Sequence, residues 1–201
     1  MTESFATSNS AEASLRNSVV SEGSGALIRL AGVDDAALLH SVAAETFPLA
    51  CPPHTTPGAI AEFIAANLSQ SAFAGYLADP QRELFLAQVG GVAAGYTMVV
   101  FGEPTDPDVA AAVIVRPTAE LSKVYVREGH HGAGIAGGLV SVSVEAARAR
   151  GALSIWLGVN QENVRANRFY EKQGFALVGT KRFLVGDRYE DDFVRALDLP
   201  V

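Results

Sequence analysis

Residues 128–139, Glu-Gly-His-His-Gly-Ala-Gly-Ile-Ala-Gly-Gly-Leu, constrain this chain more than any other stretch. A run rich in β-formers, Leu121–Val126, precedes them. A helical pattern follows, with Ile135, Leu139, Val142, Ala146 and Ala149 recurring at steps of four and three. Arg148 and Arg150 sit where the helix dipole favours cations, and Gly151 stops the helix. A glycine loop between a strand and a helix leaves backbone N–H groups unprotected at the positive end of the dipole. That is a site for phosphates, and small residues keep the backbone accessible to a pyrophosphate.

Gly132-Ala-Gly134-Ile-Ala-Gly137 also matches the GxGxxG fingerprint of dinucleotide-binding folds. Three features oppose that reading. The motif lies in the second half of the chain, after an antiparallel hairpin. Residues 127–131 separate it from the strand, whereas the dinucleotide turn is tighter. The next strand, Leu153–Val159, ends without an acidic residue for a ribose.

Elsewhere the pattern reads as one mixed, layered α/β (α+β) domain. Ala26–Leu30 is a strand. A helix capped by Asp34 or Asp35 carries Leu38, Leu39, Val42 and Phe47 up to a loop that begins at Pro48. Further helices hold Ile60, Phe63, Ile64 and Leu68, then Phe73, Tyr76 and Leu77. Glu83–Val89 and Val92–Phe101 form a hairpin through Gly90-Gly91. Residues 102–109 read as a loop and Ala111–Val115 as a short strand or extended chain. Asn163 caps a helix to Lys172, and Ala176–Leu184 and Tyr189–Leu197 close the domain as strands. Strand–helix–strand order after residue 120 implies one parallel crossover.

Composition narrows the function classes. With 49% hydrophobic residues the chain can bury a core, and seven of residues 1–24 are serine. We therefore expect a disordered arm over 1–24, or one that docks in a homodimer, and a single domain over 25–201. The formal charge of −7 argues against a nucleic-acid partner bound through bulk positive charge. No apolar run is long enough to span a bilayer and no signal segment is evident, so the expectation is a cytoplasmic protein without a membrane partner. Cys51 is the single cysteine, so there is no intrachain disulfide. His130 and His131 are adjacent and diverge, without a third ligand, so no metal is expected.

Two spaced signatures then resemble the GCN5-related N-acetyltransferase family. His131-Gly-Ala-Gly134-Ile-Ala136 is similar to the family's pyrophosphate loop, Arg/Gln-x-x-Gly-x-Gly/Ala, with histidine in first place. Asn163-Val-Arg-Ala166-Asn-Arg-Phe-Tyr170-Glu-Lys-Gln-Gly174-Phe175 is similar to its second signature. More narrowly, Glu120–Val126, Ile155–Val159, Phe183–Asp187 and Asp191-Asp192-Phe193 resemble bacterial spermine/spermidine N-acetyltransferases.

The resemblance implies a mostly antiparallel sheet of six to seven strands flanked by helices, with a splayed central strand pair. It implies acetyl-CoA as co-substrate, with pyrophosphate on the backbone of His131, Gly132, Ala133, Gly134, Ile135 and Ala136. Backbone groups of Val124 and Val126 would pair with the pantetheine. Leu121 and Val124 break strict alternation around Ser122-Lys123, which a β-bulge would restore; a regular strand is the alternative.

Acetyl transfer to an amine needs a neutral amine and a proton for the departing thiolate. Glu120 is the candidate base, or else an exposed strand-edge carboxylate. Tyr170 stands where the family places its general acid, or else packs in the core. Asn163 and Asn160 are candidates for the CoA arm, and Arg168 for its 3′-phosphate. Glu103, Asp106 and Asp108 are candidates to gather near the acceptor with Glu120. Phe47 through His54 would line the acceptor side, and Cys51 is a remote candidate for covalent catalysis. The implied reaction is direct transfer to a small, polyamine-like primary amine. A protein or peptide amine, and a non-catalytic CoA-binding domain, are the alternatives.

Overall fold

The computed structural model describes residues 19–21, 25–185 and 188–200. Most of the serine-rich arm thus lies outside the described residues. Val19–Ser21 form a short strand, β1, which pairs antiparallel with β2 (Ala26–Leu30).

A 3-10 turn leads into α1 (Ala36–Ala50), followed by α2 (Pro57–Asn67) and α3 (Gln70–Ala78). The hydroxyls of Thr56 and Ser69 accept the Ala59 and Ala72 N–H groups, which caps α2 and α3. β3 (Arg82–Val89) and β4 (Val92–Phe101) form the hairpin expected through Gly90-Gly91. Then come α4 (Pro107–Ala112), β5 (Thr118–Val126), α5 (Ile135–Ala149), β6 (Ser154–Asn160), α6 (Val164–Lys172), β7 (Ala176–Val185) and β8 (Arg188–Asp198).

Three local expectations change. α1 continues through Pro48 to Ala50, because a proline in the last turn removes only one helical hydrogen bond. Pro107–Ala112 is helical where loop and extended chain were expected. Asp106-Pro107 is a cap followed by a first-turn proline, and the Asp106 carboxylate accepts the Asp108 and Val109 N–H groups. Asp35 does not cap α1 with its side chain. Arg29 and the Gly32 N–H hold its carboxylate, and the Arg29 hydrogen bonds draw its pKa below the ordinary value.

The eight described strands form one sheet in the order β1-β2-β3-β4-β5-β6-β8-β7. Only β5 and β6 run parallel. On one face, Leu39, Val42 and Phe47 of α1 and Phe73 of α3 pack against Leu84, Leu86, Tyr96 and Met98. On the other, Val140, Val144 and Ala147 of α5 pack against Val99, Leu121, Ile155 and Leu157. Burial of such side chains contributes roughly 1.5–3 kcal/mol each and holds the layers together. The Ser143 hydroxyl, fully buried, bonds Thr97 and so ties α5 to β4.

The feature that positions the site is a partial pairing. β5 and β6 share only Thr118↔Ser154, Ala119↔Ile155 and Glu120↔Trp156. Beyond Glu120 the strands part, although β5 continues to Val126 and β6 to Asn160. A register shift accompanies the parting: Met98 faces Lys123 while Val99 faces Leu121, leaving Ser122 as the bulged residue. This is the bulge that the Leu121–Val124 spacing predicts, and bulges bend the strand that carries them.

Candidate active site

Two cavities meet at the gap between β5 and β6. The first, about 420 Å³, lies between β5, the glycine loop with the start of α5, and α6. The second, about 340 Å³, lies on the face covered by α1 and α2. Val124, Tyr125, Asn163, Ala166 and Tyr170 line both, so the gap is where the two communicate.

The glycine loop shapes the first cavity. Gly132 and Gly134 have φ of 84° and 80°, a left-handed conformation that L side chains resist. A Cβ at either would meet nothing within 4 Å, so the loop is open to the cleft. Gly134 stands at the N-cap of α5 without a side-chain cap, and the first-turn N–H groups have no partner within the helix. Gly132, Gly134, Ile135 and Ala136 all line the cleft, and Gly137 joins them. Ala133 does not: its N–H is turned back to the His130 carbonyl at 3.4 Å. His131 lines the cleft, but its ring is turned onto β5, with Nε2 2.9 Å from the Val126 carbonyl. A carbonyl only accepts, so Nε2 carries the proton. Arg127 N–H bonds Ala94 of β4. By strand alternation, Val124 and Val126 therefore present their backbone groups to the gap.

α6 supplies the opposite wall. The Asn163 side chain accepts the Ala166 N–H and caps the helix. One turn on, Tyr170 packs edge-on to Phe169 and Phe175 at ring distances of 5.2 and 5.9 Å. Burial pushes its phenol pKa well above 10, so the hydroxyl keeps its proton. The helix is pinned from behind: Asn167 donates to the carbonyls of Asn160 and Asn163, and buried Arg195 of β8 donates to the Asn167 side chain and to the Phe175 carbonyl.

Other candidates fall differently. Asn160 lines the second cavity rather than the first, and its side chain accepts the Glu162 N–H. Arg168 is exposed and lines neither cavity; the arginine that lines the first is Arg165. Glu103, Asp106 and Asp108 do not gather with Glu120. Glu103 pairs with Arg116, Asp106 caps α4, and none of the three lines either cavity.

Instead, Glu120 shares the second cavity with Glu190 and Asp192 of β8, two residues apart on one strand face. Both are buried. Burial raises the Asp192 pKa to about 6; Lys181 opposes the rise, while Glu190 and Asp191 add to it. Lys123 also lines this cavity, its ammonium 5.5 Å from the Tyr76 ring centre. Burial lowers its pKa to about 8, against the pull of Glu120. The loop between α1 and α2 covers the cavity and is tied to β8 by His54 Nε2 to Glu190 Oε1 at 2.7 Å. Cys51 lies on the same loop. Burial, with Glu190 adding, raises its thiol to about 11, and its Sγ is 3.4 Å from the Phe47 carbonyl. A thiol so protonated is a poor nucleophile, which removes the motive for covalent catalysis.

The geometry suits a long phosphorylated ligand. A loop with open backbone leads to a gap lined by strand groups, and the gap leads to a polar cavity. Among the described residues, no helix is long and apolar enough to cross a membrane.

Comparison with known proteins agrees. The model of the acetyltransferase (GNAT) family matches residues 44–175. An N-acetyltransferase of Mycobacterium tuberculosis is 45% identical over 165 residues, covering 82% of this chain and 98% of that protein. One from Lactobacillus delbrueckii subsp. lactis is 26% identical over 155 residues, 77% of this chain and 86% of that one. Among solved structures, the PaiA N-acetyltransferase of Thermoplasma acidophilum in complex with coenzyme A has a TM-score of 0.69 at 18% identity, covering 87% of this chain and 99% of that one. The YncA acetyltransferase fold of Salmonella typhimurium, solved with acetyl-CoA, has a TM-score of 0.57 at 20% identity, covering 87% and 94%.

Proposed function

The chain belongs to the GNAT family of acetyltransferases, and from that premise we propose that it transfers acetyl from acetyl-CoA to a small primary amine held beside Glu120. The observation that carries this reading is the parting of β5 from β6 beyond Glu120↔Trp156, beside the open N-terminus of α5. A peptide amine is the rival acceptor.

Acetyl-CoA supplies the activated acetyl thioester. The N–H groups of Gly134, Ile135 and Ala136 hold the pyrophosphate, with Gly132 keeping the loop open and Arg165 adding charge at the rim. Val124 and Val126 align the pantetheine along β5, and Asn163 borders the same path. An amine enters as an ammonium, which has no lone pair. Glu120, directly or through water, accepts its proton. Tyr170, protonated and lining both cavities, donates to the sulfur as it leaves. Both reactants are present together, so the amine attacks without an acyl-enzyme stage.

Three carboxylates, Glu120, Glu190 and Asp192, line the acceptor cavity, and this supports a small, cationic, polyamine-like amine such as a diamine over a neutral acceptor. A panel of monoamines, diamines, triamines and peptides, followed by thiol release from acetyl-CoA, tests this. Turnover of small aliphatic amines well above peptides is the expected result. Peptide turnover exceeding all small amines would overturn the small-amine reading.

A further inference from the structure

The acceptor cavity contains a cation that belongs to the chain itself. Lys181 lies on the edge strand β7, opposite Asp192 of β8, so the two side chains share a sheet face. β6 lies on the far side of β8, yet Lys181 reaches it. A Cβ added to Gly158 of β6 would overlap Lys181 Cε, and would sit 3.2 Å from both Lys181 Nζ and Asp192 Oδ2. The Lys181 ammonium is also 6.0 Å from the ring centre of Trp156, the β6 residue opposite Glu120. Glycine at 158 is thus what lets a side chain from the sheet edge cross β8 and lie over β6 in the cavity.

The other cavity carboxylates have partners from the chain as well. Glu190 is bonded by His54, and Glu120 interacts with Lys123. With Lys181 beside Asp192 and Lys123 in the same cavity as Glu120, the chain already places two lysines among the three acids. An acceptor carrying many charges would therefore meet repulsion as well as attraction, and like charges close together in a partly desolvated site weaken binding.

We propose that Lys181, laid across Gly158 against Asp192, is a built-in counter-ion that limits how many positive charges the acceptor carries, favouring short mono- and diamines over tri- and tetra-amines. This rests on the acceptor cavity assigned above. Lys181 is a specificity residue: its ammonium fills the place that a distal ammonium of a longer polyamine would need. Gly158 is the positioning residue that makes room for it.

The test is calorimetric binding of propylamine and of a linear triamine to the CoA-loaded protein, at mildly alkaline pH where Asp192 is ionised. Lys181→Met removes the cation. Gly158→Ala keeps the lysine but displaces its flexible end. Thermal unfolding checks that each variant is folded. Both variants are expected to shift the ratio of triamine to monoamine affinity toward the triamine by roughly tenfold. An unchanged ratio, a shift toward the monoamine, or no amine binding in any variant would overturn the proposal. Turnover is measured in parallel. Binding ratios that shift as expected without any acetyl transfer would refute the acetylation reading and leave the role of Lys181 standing.

Discussion

At the scale of the residue, the proposed chemistry depends on protons held at particular atoms. Tyr170 packs against Phe169 and Phe175, and desolvation keeps its hydroxyl protonated at the place where we propose the thiolate leaves. Tyr170→Phe preserves the ring and removes the proton. It should lower kcat by about 10²–10⁴ while leaving acetyl-CoA affinity nearly unchanged. Steady-state kinetics with calorimetry separates the two, and an unaltered kcat would refute the role. Asp192 carries a different consequence. Its folded-state pKa, about 6, lies above the ordinary 3.8, so the folded chain binds the proton more tightly than the unfolded one. Its contribution therefore favours folding at low pH and is lost as pH rises through that window, a cost of roughly 3 kcal/mol at neutrality. Asp192→Asn should raise stability at neutral pH and flatten the stability curve between pH 3.8 and about 6. Urea unfolding at several pH values reads this directly. A variant less stable than wild type at neutral pH would contradict it.

At the scale of the element, the sequence was most legible where one helix or loop carried its own periodicity. Asn163, Ala166 and Tyr170 share a helix face, and that face lines the cavities. The same arithmetic explains the misplacement of Arg168. At about 100° per residue it lies some 200° round from Ala166, whereas Arg165 borders the cleft face. The bulge at Ser122 was readable from Leu121 and Val124. By contrast, Lys181, Glu190 and Asp192 come together through the β7–β8 register, which shifts between Leu177 and Gly179. Period-two alternation tells that Glu190 and Asp192 share a face. It does not tell that Lys181 will cross β8 to meet it, because that depends on Gly158, a residue from a third strand. α6 shows the reverse dependence, of a legible helix on illegible support. Asn167 and Arg195 bond each other behind Tyr170. Asn167→Leu should cost about 1–3 kcal/mol, since buried Arg195 loses a partner. It should also lower kcat more than it raises KM, because Tyr170 loses its fixed position. Equal stability and kinetics in the variant would show that the network does not position the helix.

At the scale of the whole molecule, the site proposed for two ligands exists because one sheet is incompletely closed. β5 and β6 pair over three residues and then separate, so a sheet that is otherwise continuous opens a passage between its faces. α5 and α6 hold one mouth of that passage, and α1, α2 and β8 the other. The order of elements and the glycine loop made this architecture readable. The acceptor side was not readable, because its residues come from separated stretches of the chain, among them 47–52, 63–68, 120–125 and 158–160, with Lys181, Glu190 and Asp192. The first mouth is the one proposed to take acetyl-CoA. Isothermal titration of acetyl-CoA into the protein tests that most directly. Saturable binding at one site per chain, weakened when Gly134→Val fills the open loop, is the predicted result. No binding to the wild-type protein at millimolar acetyl-CoA would contradict it.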